Sequence, residues 1–170
     1  MVEVVIDSLL EGAQRATGVV AVIDVFRAFT TAAVALANGA ARIIMVGGVD
    51  EALALRQSGI GQICMGEIGG RAPAEFDFGN SPFELLHADL RGKTVIQRSS
   101  AGTQGMVAAV LAEYRYAAAL VTASATARAM LAARPTRISL VAMGKDTIAR
   151  TDEDELCAFH LRNILARAEE

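Results

Sequence analysis

The sequence predicts an α/β protein with three layers, in which helices cover both faces of a mostly parallel β-sheet. Short runs rich in valine and isoleucine alternate along the chain with longer segments rich in alanine and leucine, as strands and helices do in such folds. Several of the short runs are apolar throughout and do not alternate with polar residues. Strands that are buried on both faces need this pattern, so we expect the sheet to lie in the middle of the molecule.

The β-branched runs place the strands, and the segments rich in alanine and leucine place the helices. Asn38 and Gly39 are expected to close the first helix. Asp50 can cap the second helix, and Pro82, with Ser81 as its cap, suits the first turn of the third. Strands are predicted at residues 2–6, 19–24, 42–46, 62–65, 94–98, 117–122 and 137–142. Helices are predicted at residues 30–38, 50–57, 82–87, 103–113, 125–133 and 152–168.

Composition and charge exclude several classes of function. The chain has 170 residues, of which 53% are hydrophobic and 21% charged, and no repeat or linker divides it, so one folded domain is expected over residues 1–170. A net charge of −3 provides no basic field for nucleic acid or for an anionic membrane surface. Cys64 and Cys157 fit no metal-ligand spacing and are expected to be buried thiols. The chain begins without the features of a signal peptide, so we expect a cytoplasmic protein that acts on a small molecule.

Four polar segments follow predicted strands, and ligands of parallel sheets bind beyond the carboxyl ends of the strands. The first segment spans residues 24–31. Asp24 could hold Mg²⁺, while Arg27, with Thr30 and Thr31 nearby, would suit a phosphate or a carboxylate. A helix cap and a solvated arginine would explain the same residues.

The second segment is a long loop at residues 66–82, rich in glycine and carboxylates. A compact domain rarely keeps a loop of this length without a use for it. Glu67 could bind a metal or act as a general base. Asp77, Asn80 and Ser81 could be an ordinary turn and helix start, but capping does not explain a glutamate flanked by glycines.

The third and fourth segments lie at residues 98–103 and 144–155. Small residues in the third would let backbone N–H groups and hydroxyls approach an oxyanion, although a tight capped turn would have the same composition. It is not a Walker A loop, because the distal Gly-Lys-Ser/Thr element is missing. The fourth contains four consecutive acidic residues at 152–155, which favour a helix start but exceed what capping requires. One or two of them could face a metal.

Together the four segments resemble the 2-phosphosulfolactate phosphatase family. The matching pieces occur in the family's order across nearly the whole chain, and the string Phe-Asp-Phe-Gly-Asn-Ser-Pro after a Gly-Glu pair is the most specific of them. They lie at residues 24–31, 37–40, 66–67, 76–82, 102–103 and 153–154. The chain stops earlier than typical relatives, so a second subunit of a homodimer could supply part of the pocket.

The resemblance implies a Mg²⁺-dependent phosphatase that acts on a small sulfonated 2-hydroxy acid in coenzyme M biosynthesis. By position, Asp24, Glu67 and Asp154 become candidates for metal binding and acid–base chemistry, and Arg27 becomes a catalytic candidate. The residues expected to hold the anionic substrate are Thr30, Asn80, Ser81, Ser99, Ser100, Gly102 and Thr103.

The expected mechanism is direct attack of water on the phosphorus atom. Mg²⁺ would neutralise the phosphate, Arg27 and the loop at residues 99–103 would stabilise developing charge, and Glu67 or Asp154 would orient the water. An aspartyl-phosphate on Asp24 is an alternative, less favoured because Phe26 replaces the usual second aspartate. Two further alternatives are a phosphatase for another 2-phospho acid and a non-catalytic anion-binding module.

Overall fold

The computed structural model describes residues 2–168, and over this range the chain has the predicted α/β class. The strands are β1 (Glu3–Ser8), β2 (Gly18–Ile23), β3 (Arg42–Met45), β4 (Ile63–Gly66), β5 (Thr94–Arg98), β6 (Ala112–Ala118) and β7 (Arg137–Ala142). The helices are α1 (Leu9–Arg15), α2 (Ala28–Ala37), α3 (Val49–Gln57), α4 (Pro82–Leu85), α5 (Gly102–Ala108), α6 (Ala123–Ala132) and α7 (Asp152–Arg167). A 3₁₀ turn at Leu120–Thr122 precedes α6. None of the described helices is long and apolar enough to cross a membrane.

The strands run parallel, as predicted, but they divide between two sheets. The first sheet has four strands in the order β1-β7-β2-β6, and the second has three in the order β3-β5-β4. Every paired strand in both sheets runs parallel to its neighbour. The carboxyl ends of the strands therefore share one edge within each sheet, as the sequence-based placement of the site assumed.

Strand β2 shows why a run of apolar residues makes a central strand. Its odd-numbered residues, such as Ala21 and Ile23, pack with α6 and α7 on one face of the first sheet. Val20 and Val22 point to the other face and pack with α1, α5 and the start of α2. Because neither face of β2 meets water, both sets of side chains must be apolar.

Helix α2 joins the cores of the two sheets. Phe29, in its first turn, packs in the cluster beneath the first sheet. Ala32 and Ala35, further along, pack with α4 against the second sheet. Helix α3 covers the opposite face of that sheet through Ala52 and its neighbours.

Four local features differ from the predictions. Helix α1 was not predicted. Asp50 was expected to cap its helix, but it lies in the first turn of α3, and the N-cap is Gly48. Residues 103–113 and 117–122 were predicted as a helix and a strand, but α5 ends at Ala108 and β6 occupies Ala112–Ala118. The strand begins earlier because pairing with β2 outweighs the weak strand propensity of its alanine and glutamate residues.

Candidate functional site

A cavity of about 420 Å³ lies where the carboxyl ends of β2, β4, β5 and β7 meet. All four predicted polar segments contribute to its lining, and its volume suits a small-molecule ligand. The lining residues are Asp24, Phe26, Arg27, Glu67, Gly69, Gly70, Asn80, Ser100, Ala101, Gly144, Lys145, Asp146, Thr151 and Glu153. The structure thus brings together five of the predicted site residues, namely Asp24, Arg27, Glu67, Asn80 and Ser100.

Asp24 follows β2 and joins the starts of two helices. The side chain is buried, with 6% of its residue exposed. Oδ1 accepts a hydrogen bond of 3.0 Å from the N–H of Ala28, the first residue of α2. Oδ2 accepts one of 2.8 Å from the N–H of Gly102, the first residue of α5. These N–H groups have no partner within their helices, so the carboxyl group satisfies both.

Glu67 joins the loop after β4 to the loop after β5. Oε1 accepts a hydrogen bond of 2.6 Å from the N–H of Ser100. Oε2 accepts one of 3.0 Å from the Ser100 hydroxyl and one of 2.7 Å from the N–H of Gly70. The guanidinium of Arg98 donates to the Glu67 carbonyl at 2.8 Å, which strengthens the same link.

Asp154 joins the loop after β2 to the loop after β7. Oδ1 accepts a hydrogen bond of 2.8 Å from the N–H of Val25, and Oδ2 accepts one of 2.9 Å from the N–H of Gly144. Its residue is only 2% exposed and does not line the cavity. Asp154 therefore lies behind the cavity and connects two parts of its wall.

The three carboxyl groups together hold the four strand-end loops in one arrangement. Each accepts one backbone N–H from a segment that follows another strand, namely Gly102 for Asp24, Ser100 for Glu67 and Val25 for Asp154. Charge-assisted hydrogen bonds of this kind are about twice as strong as those between neutral groups. The helix cap that the sequence left open for Asp24 is present, since its carboxyl group accepts the N–H of Ala28 at the start of α2. The sequence gave no sign of the hydrogen bonds that these carboxyl groups make to loops after other strands.

Burial changes the acidity of two of these groups. The pKa of Asp24 is raised to about 7, chiefly by loss of solvent and also by the negative charges of Asp154 and Glu67, against the opposing effect of its backbone hydrogen bonds. Burial also raises the pKa of Asp154, with its neighbours Glu153 and Glu155 acting in the same direction. In the absence of a bound cation, Asp24 therefore exchanges its proton close to neutral pH.

The loop after β5 is the tight capped turn that the sequence left as an alternative. Ser99 and Thr103 are fully buried, and each donates its N–H to the hydroxyl of the other. The N–H groups of Ser100 and Gly102 are bound to Glu67 and Asp24. The N–H of Ala101, which lines the cavity, has no hydrogen-bond partner among residues 2–168. This loop can therefore offer one backbone N–H to an anion rather than several.

Two other predicted residues do not line the cavity. The Thr30 hydroxyl donates to the carbonyl of Val25 at 2.7 Å, and Ser81 is the N-cap of α4 without a side-chain hydrogen bond. Asn80 does line it, and its Oδ1 is buried without a hydrogen-bond partner in the described chain. A buried acceptor of this kind is costly unless a ligand or water donates to it, so Asn80 remains a candidate for substrate binding.

The cavity also contains residues that were not among the sequence-based candidates. Lys145, Asp146 and Thr151 come from the fourth polar segment. Glu153, which also lines the cavity, is one of the four consecutive acids of which one or two were expected to face a metal. The polarity of that segment signalled a site, but its sequence could not show which side chains face inward. Their directions depend on a short antiparallel bridge between Lys145 and Ala149, which the sequence does not reveal.

The oxygen atoms of the cavity suit a metal ion that is shared with a ligand. Between residues 2 and 168, no group of three or more His, Cys, Asp or Glu side chains lies close enough to hold a metal by itself. Each oxygen of Asp24 accepts only one hydrogen bond, so each keeps a lone pair. Mg²⁺ commonly takes one or two carboxylates and completes its shell with water and substrate phosphate. The residues fit an ion of that kind, shared between protein and substrate.

The charges in the cavity also favour a bound cation. Four carboxyl groups line it, those of Asp24, Glu67, Asp146 and Glu153, against two cationic groups. An anionic ligand would meet a net negative lining at neutral pH unless a cation offset it. The site therefore fits a metal together with an anion better than an anion alone.

The buried carboxyl group of Asp24 should make stability depend on pH. Its pKa of about 7 lies above the ordinary value of 3.8, so the folded state holds the proton more tightly than the unfolded state. This contribution to stability is complete below pH 3.8 and is lost as pH rises through about 7. With chelator present, native protein should lose more stability between pH 5 and pH 8 than Asp24→Asn, which cannot ionise there.

Denaturant unfolding at the two pH values measures this difference. Asp24→Asn should be less stable than native protein at low pH, because an amide cannot accept both backbone N–H groups. Asp50→Asn, at an exposed position, removes the same charge and should follow the native pH dependence. If the free energy of unfolding changes equally with pH in native protein and in Asp24→Asn, a raised pKa at Asp24 is ruled out.

Comparison with known proteins finds one and the same family over most of the chain. The sequence profile described as 2-phosphosulpholactate phosphatase matches residues 5–170. A protein of Carboxydothermus hydrogenoformans named as a probable 2-phosphosulfolactate phosphatase is 43% identical over 112 residues, which cover 66% of this chain and 46% of that protein. One of the same name from Thermus thermophilus is 35% identical over 136 residues, 79% of this chain and 56% of the relative. The chain spans about half the length of these curated relatives.

Proposed function

Because the chain belongs to the 2-phosphosulpholactate phosphatase family, we propose that it hydrolyses a phosphomonoester of a small 2-hydroxy acid with Mg²⁺ as cofactor. One observation carries the proposal: loops from four strand ends converge on a single cavity that contains carboxylates, two cationic side chains and a backbone N–H, and these cations and this N–H have no partner among residues 2–168. Phosphoryl transfer depends mainly on positioning and on stabilising charge, which such an arrangement can provide.

Arg27 and the Ala101 N–H are the groups we assign to the phosphate. The guanidinium of Arg27 lines the cavity and forms no salt bridge or hydrogen bond with other residues in the described range. A guanidinium can bind two phosphate oxygens at once, and a backbone N–H can bind a third. The N–H is already fixed by the capped turn, so little reorganisation is needed when charge develops on the phosphate.

Asp24 is the carboxylate we assign to the metal, since it lines the cavity and each of its oxygens keeps a lone pair. Glu67 also lines the cavity, but its Oε2 already accepts two hydrogen bonds and its Oε1 accepts one, so we assign the remaining lone pair to water instead of the metal. A bound Mg²⁺ would neutralise phosphate charge and lower the pKa of a water molecule. Asp154 does not reach the cavity, so we assign it a structural part instead of the ligand role that the resemblance implied.

Glu67 is the group we assign to the attacking water. It is a carboxylate at the cavity surface, fixed in orientation by Ser100 and Gly70. In this position it can accept a proton from water as the bond to phosphorus forms, and the alcohol leaves with a proton from solvent. Asp24 is a weaker candidate for a phosphorylated nucleophile, because it is buried and both its oxygens accept backbone N–H groups.

A screen of phosphomonoesters tests the proposal. Phosphate release is measured with 2-phospholactate, 2-phosphosulfolactate and 2-phosphoglycerate, in Mg²⁺ and in chelator. We expect turnover of at least one 2-phospho acid with Mg²⁺ and its loss in chelator. Binding of these compounds without any hydrolysis would contradict the proposal and favour the non-catalytic anion-binding module.

A further inference from the structure

Two positively charged side chains line the cavity, and both are free to bind a ligand. Arg27 lies in the loop after β2 and Lys145 in the loop after β7, and these strands are neighbours in the first sheet. Neither side chain forms a salt bridge with a carboxylate between residues 2 and 168. A ligand with two acidic groups can therefore present one to each cation.

The carboxyl group of Asp154 holds the backbone beside both cations. It accepts the N–H of Val25, two residues before Arg27, and the N–H of Gly144, the residue before Lys145. Because Asp154 does not line the cavity, it does not contact a ligand there. What it can change is the distance between the two loops, and with it the distance between their cations.

The loop that carries Lys145 is itself held in shape. The N–H of Lys145 donates to the carbonyl of Ala149 at 2.8 Å, and the N–H of Ala149 donates back at 3.2 Å. Gly144 has a φ of +64°, and a Cβ at this position would lie 2.1 Å from the Ala149 carbonyl oxygen. Only glycine permits this close approach. Movement of Gly144 would therefore carry Lys145 with it.

Because negative charges surround Lys145, the position of its ammonium group decides whether it can attract an acidic group of a ligand. Asp146 and Glu153, from the same segment, also line the cavity, so Lys145 does not create a broad positive region. Its attraction for an anion is confined to groups that come close to its ammonium group. A small displacement of the loop should thus weaken recognition of an acidic group placed there.

We propose that Asp154 is a positioning residue that sets the distance between Arg27 and Lys145, and that these bind the phosphate and the second acidic group of the substrate. The proposal rests on the proposed function of the same cavity and adds the residues that select the substrate.

Two phosphonates that cannot be hydrolysed test it. One, 2-methyl-3-phosphonopropanoate, has the shape of 2-phospholactate with its carboxylate. The other, 2-methylpropylphosphonate, has a methyl group in place of that carboxylate. Calorimetry with saturating Mg²⁺ gives both affinities. Native protein should prefer the carboxylated compound by about tenfold, as expected for one charge-assisted hydrogen bond.

Variants at both positions then show whether Asp154 acts through Lys145. Lys145→Met and Asp154→Asn should each abolish the preference while leaving binding of 2-methylpropylphosphonate within about threefold, and the double variant should lose nothing more. An asparagine can accept only one of the two backbone N–H groups, so one link is lost. Lys93→Met, at the chain's other lysine, and Asp152→Asn, at an exposed acid of the same helix, should keep the preference.

Each remaining outcome decides one of the two proposals. If native protein binds neither phosphonate, the proposed function fails and this inference fails with it. If it binds both without a preference, or if Lys145→Met or Asp154→Asn keeps the preference, only the inference fails. The same conclusion follows if Asp154→Asn weakens both compounds equally, or if the two substitutions have effects that multiply. Lys145 is exposed and can be replaced without harm to the core. If Asp154→Asn does not fold, Asp154→Glu takes its place and should also reduce the preference, because it keeps both acceptor oxygens but lengthens the side chain that joins the two loops.

Discussion

Glu67→Gln is expected to lower kcat for phosphomonoester hydrolysis about a hundredfold or more, because a glutamine cannot take a proton from the attacking water. The substitution also removes an acceptor, since an amide oxygen cannot replace both carboxylate oxygens that bind Ser100 and Gly70. Steady-state kinetics in saturating Mg²⁺ measures the change. KM should change much less than kcat, because Arg27 remains in place to bind the phosphate.

Glu75→Gln is the matched control for this experiment. Glu75 lies in the same loop but is exposed and does not line the cavity, so the variant should keep native kcat. Glu67→Gln with a kcat within about twofold of native protein would exclude Glu67 from the chemical step, because a general base contributes far more than this.

Gly66→Ala is expected to destabilise the fold by about 3–5 kcal/mol, because the added methyl group would clash severely with the backbone of the neighbouring strand. Gly66 has a φ of +138°, and a Cβ there would lie 1.7 Å from the carbonyl oxygen of Arg98. Arg98 belongs to the neighbouring strand β5, so relief of the clash requires β4 and β5 to separate. Because Glu67 is the next residue, the same movement should remove activity. Denaturant unfolding gives the stability change.

Gly59→Ala separates backbone strain from the clash. Gly59 also has a positive φ, +78°, but nothing lies within 4 Å of the Cβ position. It should lose only about 1 kcal/mol, the cost of a left-handed conformation for alanine. Equal destabilisation by the two variants would show that the contact with Arg98 does not limit the substitution.

The fold class and the place of the site could be read from the sequence because both depend on local patterns. The apolar run of β2 reflects burial on both faces, which the structure shows through Val20 and Ile23 on opposite sides. Parallel strands end at a common edge within each sheet, which places the segments after β2 and β7 side by side and does the same for those after β4 and β5. The two pairs meet through contacts between the sheets, such as the hydrogen bond from the Gly102 N–H to Asp24. Neither inference needed to know which strand pairs with which.

The errors arose where tertiary contacts outweigh local preference. Helix α1 has only seven residues and contains Gly12, so it shows little helical periodicity. A Cβ at that glycine would lie 3.0 Å from the carboxyl group of Asp7, so a larger residue would require the Asp7 side chain to shift. The division into two sheets was also beyond the sequence, since strand order follows from pairing between distant segments.

The roles of the acidic residues could be predicted only in part. The sequence placed Asp24, Glu67 and Asp154 at strand ends, and the structure shows that all three carboxyl groups bind backbone N–H groups across loops. Hydrogen bonds between residues as far apart as Val25 and Asp154 leave no periodic trace in a single sequence. For the same reason, the sequence could not separate the two carboxylates that face the cavity from the one behind it.

The central claim is that the four loops form one phosphomonoester site. A crystal structure with Mg²⁺ and 2-methyl-3-phosphonopropanoate tests it most directly. The phosphonate should lie in the cavity within hydrogen-bond distance of the Arg27 guanidinium and the Ala101 N–H, with the metal between it and Asp24. A phosphonate bound outside this cavity, or inside it without contact to Arg27 and Ala101, would contradict the claim.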